Sequence, residues 1–368
     1  VSGANNGVAA GAGVILADAG SQANATAVDL GAGTDRATLS QALSANGSAA
    51  TSSTGVGVTI AGANNGVALG ASVISAGVSA DANGTGLAAG SGDDVIDGRG
   101  SLSGTASADA RNISAAVGIT GAVNGVAAGA AVALADTSAT ASSTGASLGA
   151  GNDQLAFAGR ADSNATANAR STSVGVQLSG TYQGVGAGVA LVDSSTGAVA
   201  GAVAADGGDG DDSLDLGGAL ASTATASARN LGVSVGLGFS VFGVGAGGAG
   251  VLGTVTSLAD ALGLGGGAGS DRLIARDAVN VMASSSGEQT SVAVSASFAI
   301  GVALSASYVD SSLAATATAT GLAGDRGPGG GNDSISSSGP LTVTSSATAT
   351  GASYSFSFPI GIGAGANI

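Results

Sequence analysis

The residues with the most chemistry in this chain are aspartates, and six of them recur at a nearly fixed step. Asp35, Asp94, Asp153, Asp212, Asp271 and Asp333 follow one another at intervals of 59, 59, 59, 59 and 62 residues, each closing a Gly-x-Gly-x-Asp string such as GAGNDQLAF at 149–157. A single copy reads as a strand-ending turn, because glycine admits φ > 0 and aspartate accepts nearby amide hydrogens. Six copies raise a second chemistry, a metal ion held by carboxylates. Asp93 and Asp211 add a second carboxylate in two of the copies.

Other chemistries are closed off by what the chain lacks. It has no His and no Cys, which removes Ser-His-Asp and Cys-His nucleophiles, disulfides, the common zinc sites and haem ligation. Glu288 is the sole glutamate, and the aspartates recur as repeat elements rather than as an isolated pair. No enzyme is expected from such a set. Nine basic residues, all Arg, against 24 acidic ones leave a net charge of −15. That balance argues against nucleic acid as a partner and fits an extracellular surface or a divalent cation.

The elements that must position the aspartates are repeats. Of 368 residues, 68 are Gly and only 2% are aromatic, so the 44% apolar share is mostly Ala and Val. Surface must be buried by many small side chains, which favours a fibrous or repeat architecture over a globular one. A second marker keeps the 59-residue step at Gly7, Gly66, Gly125, Gly184 and Gly243, in contexts such as NNGVA and YQGVG. A period this constant means that each unit fits the same slot in a stack. The units fall at about 7–65, 66–124, 125–183, 184–242, 243–300 and 301–360, one continuous array over 1–368 without linkers. The 62-residue interval is assigned to an insertion around Asp325-Arg326-Gly327-Pro328. The first and last units are cut mid-repeat, so the chain is expected to be a segment of a longer array.

Within a unit, alternation as in Val233–Phe239 (VSVGLGF) and Thr223–Ala228 (TATASA) has period two, which specifies strand, and almost no helix is expected. The tracts exceed ordinary strand lengths. Bends are therefore expected, at the NG-type turn, at a corner such as Gly98-Arg99-Gly100 or Ser338-Gly339-Pro340, and, as one alternative to an interruption, at polar clusters such as Asp18, Asp136-Thr137-Ser138, Asp193-Ser194-Ser195 and Asp310-Ser311-Ser312. The Ala, Gly and Ser faces allow two sheets to approach closer than the usual ~10 Å. Leu231–Ala259 is uncharged and long enough to span a bilayer as a helix, but its alternation reads as buried strand, so no membrane span is expected. The fold expected is all-β: stacked 59-residue repeats forming a β-solenoid, parallel and roll-like first, an antiparallel long-strand meander second.

That choice decides the metal question. Calcium binds oxygens at roughly 2.3–2.6 Å, so one ion can bridge loops one strand spacing (about 4.8 Å) apart but not two (about 9.6 Å). The strings GGDGDDSLD (Gly207–Asp215) and GGAGSDRLI (Gly266–Ile274) resemble the nonapeptide G-G-x-G-x-D-x-U-x of RTX (hemolysin-type) proteins. In that family Gly-rich turns of a parallel β-roll bind Ca²⁺. The resemblance implies Ca²⁺ on Asp35, Asp94, Asp153, Asp212, Asp271 and Asp333, with Asp93, Asp211 and the backbone carbonyls of Gly92, Gly151, Gly210 and Gly269. The chain departs from the family in carrying the motif once per 59 residues, with Ala37 in the large apolar place of the first copy.

SSGPLTVTSSATATG (Ser337–Gly351) and the GVALGASV-type tracts resemble the filamentous-haemagglutinin-like strands and repetitive stalks of giant filamentous adhesins of Gram-negative bacteria. The expected role is mechanical: part of a secreted, extracellular or cell-surface fibre or adhesin stalk, partnered by copies of itself and supporting a matrix or attachment. The alternative is a Ca²⁺-dependent adhesion module whose Ser/Thr/Asn face binds a glycan or surface. Arg111, Arg170, Arg229 and Glu288 share the same step and are expected to form a solvated column in which Glu288 pairs with Arg229.

Overall fold

The computed structural model describes residues 1–367. It is all-β, with no helix among the described residues. Six short strands are β2 (Arg36–Leu39), β4 (Val95–Gly98), β6 (Gln154–Phe157), β8 (Ser213–Leu216), β10 (Arg272–Ala275) and β12 (Ser334–Ser337). Seven long ones alternate with them: β1 (Ser2–Asp29), β3 (Leu43–Ser91), β5 (Leu102–Ala150), β7 (Ala161–Asp209), β9 (Leu220–Gly269), β11 (Val279–Gly330) and β13 (Leu341–Asn367). Long strands pair only with long and short with short, all parallel and in sequence order. Leu43 pairs with Leu102 and Leu102 with Ala161, so each 59-residue unit is one coil of a solenoid. The antiparallel meander is thereby ruled out.

A long strand is two arms joined at the Asn-Gly corner. Gly66, Gly125 and Gly184 take φ of 138°, 132° and 125°, values open to glycine alone. The arms then lie face to face. Thr59 Oγ1 donates to Ala71 O at 3.0 Å and Ser72 Oγ to Gly57 O at 3.1 Å. The gap is tight enough that a Cβ on Gly236 would sit 1.7 Å from Gly248 O, and one on Gly238 would sit 1.9 Å from Ala246 O. Gly, Ala and Ser supply most of the side chains in such a gap. That is why a chain poor in large side chains packs here at all.

The coil has two unlike halves. Its root, between the Asp turn and the Gly-Arg-Gly corner, widens into a triangle closed by the short strand and filled by Leu87, Leu102, Leu155, Phe157 and Leu214, with columns of buried Ala beside them. Its flat outer half, the blade, runs to the Asn-Gly corner. In the blade Ser114, Ser173, Gln177, Ser179 and Ser234 are buried on the arm before the corner, with a small apolar cluster of Ile74, Val192, Val251 and alanines opposite, while Val174, Val176 and Leu178 point out.

Two expectations need correction. The polar clusters at Asp18, Asp136, Asp193 and Asp310 lie within continuous strand and mark neither a bend nor a break. The insertion expected around Asp325-Arg326-Gly327-Pro328 falls where the register shifts, but it is larger than the 62-residue interval shows: the pairing step drops from 59 to 58 across the corner between Ala299 and Val302, then rises to 62 between Asp325 and Ser334. One residue is lost at the corner and four are gained at the Asp edge.

Candidate functional site

The six motif aspartates stand in one column, one per coil, at the entrance to the short-strand sheet. Their side chains turn inward: Asp94, Asp153, Asp212 and Asp271 are at most 2% exposed. Each carboxylate after the first caps the backbone of the coil before it. Asp35 N donates to Asp94 Oδ1 at 2.7 Å, Asp94 N to Asp153 Oδ1 at 2.8 Å, Asp153 N to Asp212 Oδ1 at 2.8 Å, Asp212 N to Asp271 Oδ1 at 2.9 Å and Asp271 N to Asp333 Oδ1 at 3.0 Å.

A second column, one residue earlier, faces solvent and runs the other way. Asn152 N donates to Asp93 Oδ1, Asp211 N to Asn152 Oδ1 and Ser270 N to Asp211 Oδ1, at 2.8, 2.9 and 2.8 Å. Amides at the turn, which the sheet ladders leave unpaired, are thus satisfied by side chains from both neighbouring coils. Unpaired buried donors are costly, so the column explains the recurrence of the aspartates without any ligand.

The turn glycines follow from the same stacking. A Cβ on Gly151 would lie 2.2 Å from Gly92 O, one on Gly210 would lie 1.8 Å from Gly151 O, and one on Gly269 would lie 2.1 Å from Gly210 O. The carbonyls of Gly92, Gly151 and Gly210 therefore point along the axis at the glycine above, and that of Gly269 points at Gly331. These are the expected carbonyl donors, and they are aimed between coils.

Each inner carboxylate leaves Oδ2 buried without a hydrogen bond at Asp35, Asp94, Asp153, Asp212 and Asp271. Burial pushes the carboxyls of Asp153, Asp212 and Asp271 up, Asp212 to about 7, with neighbouring aspartates adding to the shift and the amide hydrogen bond opposing it. For a cation, the oxygens come as a row one strand spacing apart. Among the described residues no three metal-binding side chains converge on one point. The Oδ2 atoms form a row inside the coil, those of Asp212 and Asp271 lying against Gly207 and Gly266, and no single loop among the described residues forms a closed cage.

The remaining charges are peripheral. Arg111, Arg170, Arg229 and Glu288 do form a column, with Arg229 Nε 3.2 Å from Glu288 Oε2, both side chains about half exposed. Thr105, Asn164, Thr223 and Met282 also share one register position, as an irregular surface row.

The sequence reading missed the outer surface of the blade. On the arm before the corner, outward positions 54, 56, 58, 60 and 62 of each coil carry residues such as Val58, Ile119, Leu178, Phe239 and Phe298. Phe239 and Phe298 stack at 5.1 Å and 11°. Eight of the nine aromatic residues lie on the blade, Phe157 alone being in the root core. The signal was visible in Val233–Phe239 as an alternation, but its apolar set was assigned to the interior.

No family model, curated protein or solved structure matches this chain.

Proposed function

We propose that this chain is a structural segment of a secreted bacterial fibre or adhesin stalk, in which coils stack along one axis and calcium stiffens the Asp edge. The observation that carries the mechanical part is the single parallel register that runs from β1 through β13 in the long sheet and from β2 through β12 in the short one. Every coil is bonded to its neighbours along nearly its whole length, and the interior is filled by columns of packed side chains. In such an array each coil templates the next, so stability grows with the number of coils.

Calcium would draw on the Oδ2 atoms of Asp35, Asp94, Asp153, Asp212 and Asp271 with the carbonyls between coils, and on Asp93 and Asp211 at the outer edge. Its contribution would be to neutralise a line of like charges. Electron microscopy and circular dichroism with calcium and after thorough chelation test both parts. Elongated particles that are longer or more heat-resistant with calcium are expected. Compact particles would defeat the fibre reading, and identical melting with and without calcium would defeat the role of the ion.

A further inference from the structure

On the arm before the corner the blade inverts the usual distribution of polarity. Ser234 Oγ donates to Ala190 O at 2.7 Å and Thr120 Oγ1 shares a 2.7 Å hydrogen bond with Ser179 Oγ, both between the layers. The apolar partners in the alternation are left outside. On one flat face, the arm before the corner, they build a lattice of five outward positions on six strands with no charged residue. Bulk rises along the axis: position 62 is Gly62, Gly121 and Gly180 in early coils and Phe239, Phe298 and Ile360 in later ones. The last strand adds Tyr354, Phe356 and Phe358, stacked in a row with centroids 6.4 and 6.3 Å apart.

The opposite flat face is shaped differently. Ala10, Ala12, Ala71, Ala128, Ala130 and Ala187 floor a shallow apolar depression over the early coils, with Leu69 and Val189 standing at its sides. One face carries an aromatic ridge and the other an alanine trough.

We infer that the blade is a lateral docking surface for a second copy of this chain, the aromatic face of one copy seating on the alanine-floored face of the next. The area is sufficient: nine residues at ~3.3 Å across six strands at ~4.8 Å cover roughly 850 Å², against about 800 Å² per partner in a stable interface. It also exceeds the few hundred Å² that a monomer ordinarily exposes. Charge points the same way. Copies with a net charge of −15 repel one another. The face before the corner is uncharged, and on the opposite face the alanine-floored depression lies clear of the exposed Asp193 and Asp310 further along the arm, so these are where copies can meet.

A bilayer is the competing occupant. The outward positions of this lattice carry no Lys or Arg, the residues with which an interfacial element holds lipid headgroups. Because the two faces differ, the contact is head-to-tail and does not close. This lateral contact adds to the axial stacking proposed above and stands without it.

The test is sedimentation velocity of the intact chain over a range of concentrations, with electron microscopy. The wild type is expected to form an open series that grows with concentration and grows further with added NaCl, which screens the repulsion. Val235→Glu on the aromatic face and Ala130→Glu on the alanine face should each weaken self-association at least ten-fold, while Thr166→Glu on the outside of the root should not.

An equal mixture of the two blade variants should form heterodimers and stop, because each retains the face the other has lost. If either Glu variant loses its β-sheet circular dichroism, Val235→Thr and Ala130→Ser replace the pair, with a several-fold weakening expected. Particle width reports the lateral contact and particle length the axial one, so either can fail alone. Monomers at every concentration, a mixture that does not pair, or one blade variant associating like wild type would overturn the inference. So would flotation of monomeric chain with phosphatidylcholine vesicles, which would assign the blade to lipid.

Discussion

The backbone amide of Asp153 donates to the carboxylate of Asp212 one coil further on, at 2.8 Å. The neighbouring amide of Asp211 donates back to the side chain of Asn152, at 2.9 Å. Adjacent residues thus pin adjacent coils in opposite directions, and the turn is held from above and below. Asp212→Ala should cost about 1–3 kcal/mol, the range for leaving a buried donor unpaired. Asp212→Asn keeps an acceptor at Oδ1 and should cost less. Urea unfolding of both variants, compared at neutral pH, gives the order; equal losses would show that the hydrogen bond is not what the column contributes.

The same column sets a pH dependence. Burial raises the carboxyls of Asp153, Asp212 and Asp271 in the folded state, Asp212 from 3.8 to about 7. The folded chain therefore holds these protons more tightly than the unfolded chain. The stability they contribute is full below about pH 4 and is lost as pH rises through about 7. In buffer free of divalent cations, the urea midpoint should fall across that window, and Asp212→Asn should flatten the fall. Asp215, held low by its hydrogen bond from Arg276, acts with the opposite sign and only on the acid side of the ordinary carboxylate range. A midpoint that climbs between pH 4 and 7 would contradict the assignment.

Two glycines separate layer spacing from chain flexibility. A Cβ on Gly236 would meet Gly248 O at 1.7 Å, whereas one on Gly197 meets nothing within 4 Å. Gly236→Ala should destabilise by about 1–3 kcal/mol through overpacking. Gly197→Ala should be neutral or stabilising by up to about 1 kcal/mol, since it restricts the unfolded chain. Paired thermal melts compare them directly, and similar losses at both sites would mean that the layers are looser than the geometry requires.

Arg229→Ala provides a negative expectation. The Arg229–Glu288 pair is about half exposed on both sides, and such pairs contribute about 0–1 kcal/mol. Its urea midpoint should lie close to that of the wild type in low and high salt alike. A larger loss that salt abolishes would give the arginine column a role beyond solvation.

The period was legible in the sequence because aspartates and glycines at fixed places are demanded by the stack itself: Gly151 has no room for a Cβ beneath Gly92 O. Strand was legible because VSVGLGF alternates. Which half of the alternation faces inward was not legible, since a two-residue period names two faces without ranking them. The usual rule puts Val235 and Leu237 inside; here the layers approach until only Ser234, Gly236 and Gly238 fit between them. The Asn-Gly corner was visible as a turn, but its meaning, a strand doubled back on itself with both outer faces apolar, depended on the facing arm. The one-residue loss near Ala299 was hidden because the four-residue gain after Asp325 masks it in the Asp count.

The one-step register has a mechanical consequence. Hydrogen bonds between coils run along the stacking axis, so a pull spread over a whole coil loads all of its ladder bonds at once, and none breaks until many do. A pull on a single strand end meets those bonds one after another and peels the coil like a zip. The same ladder is therefore strong or weak according to how force is delivered, and a rigid attachment across the full breadth of the blade and root would make it strong.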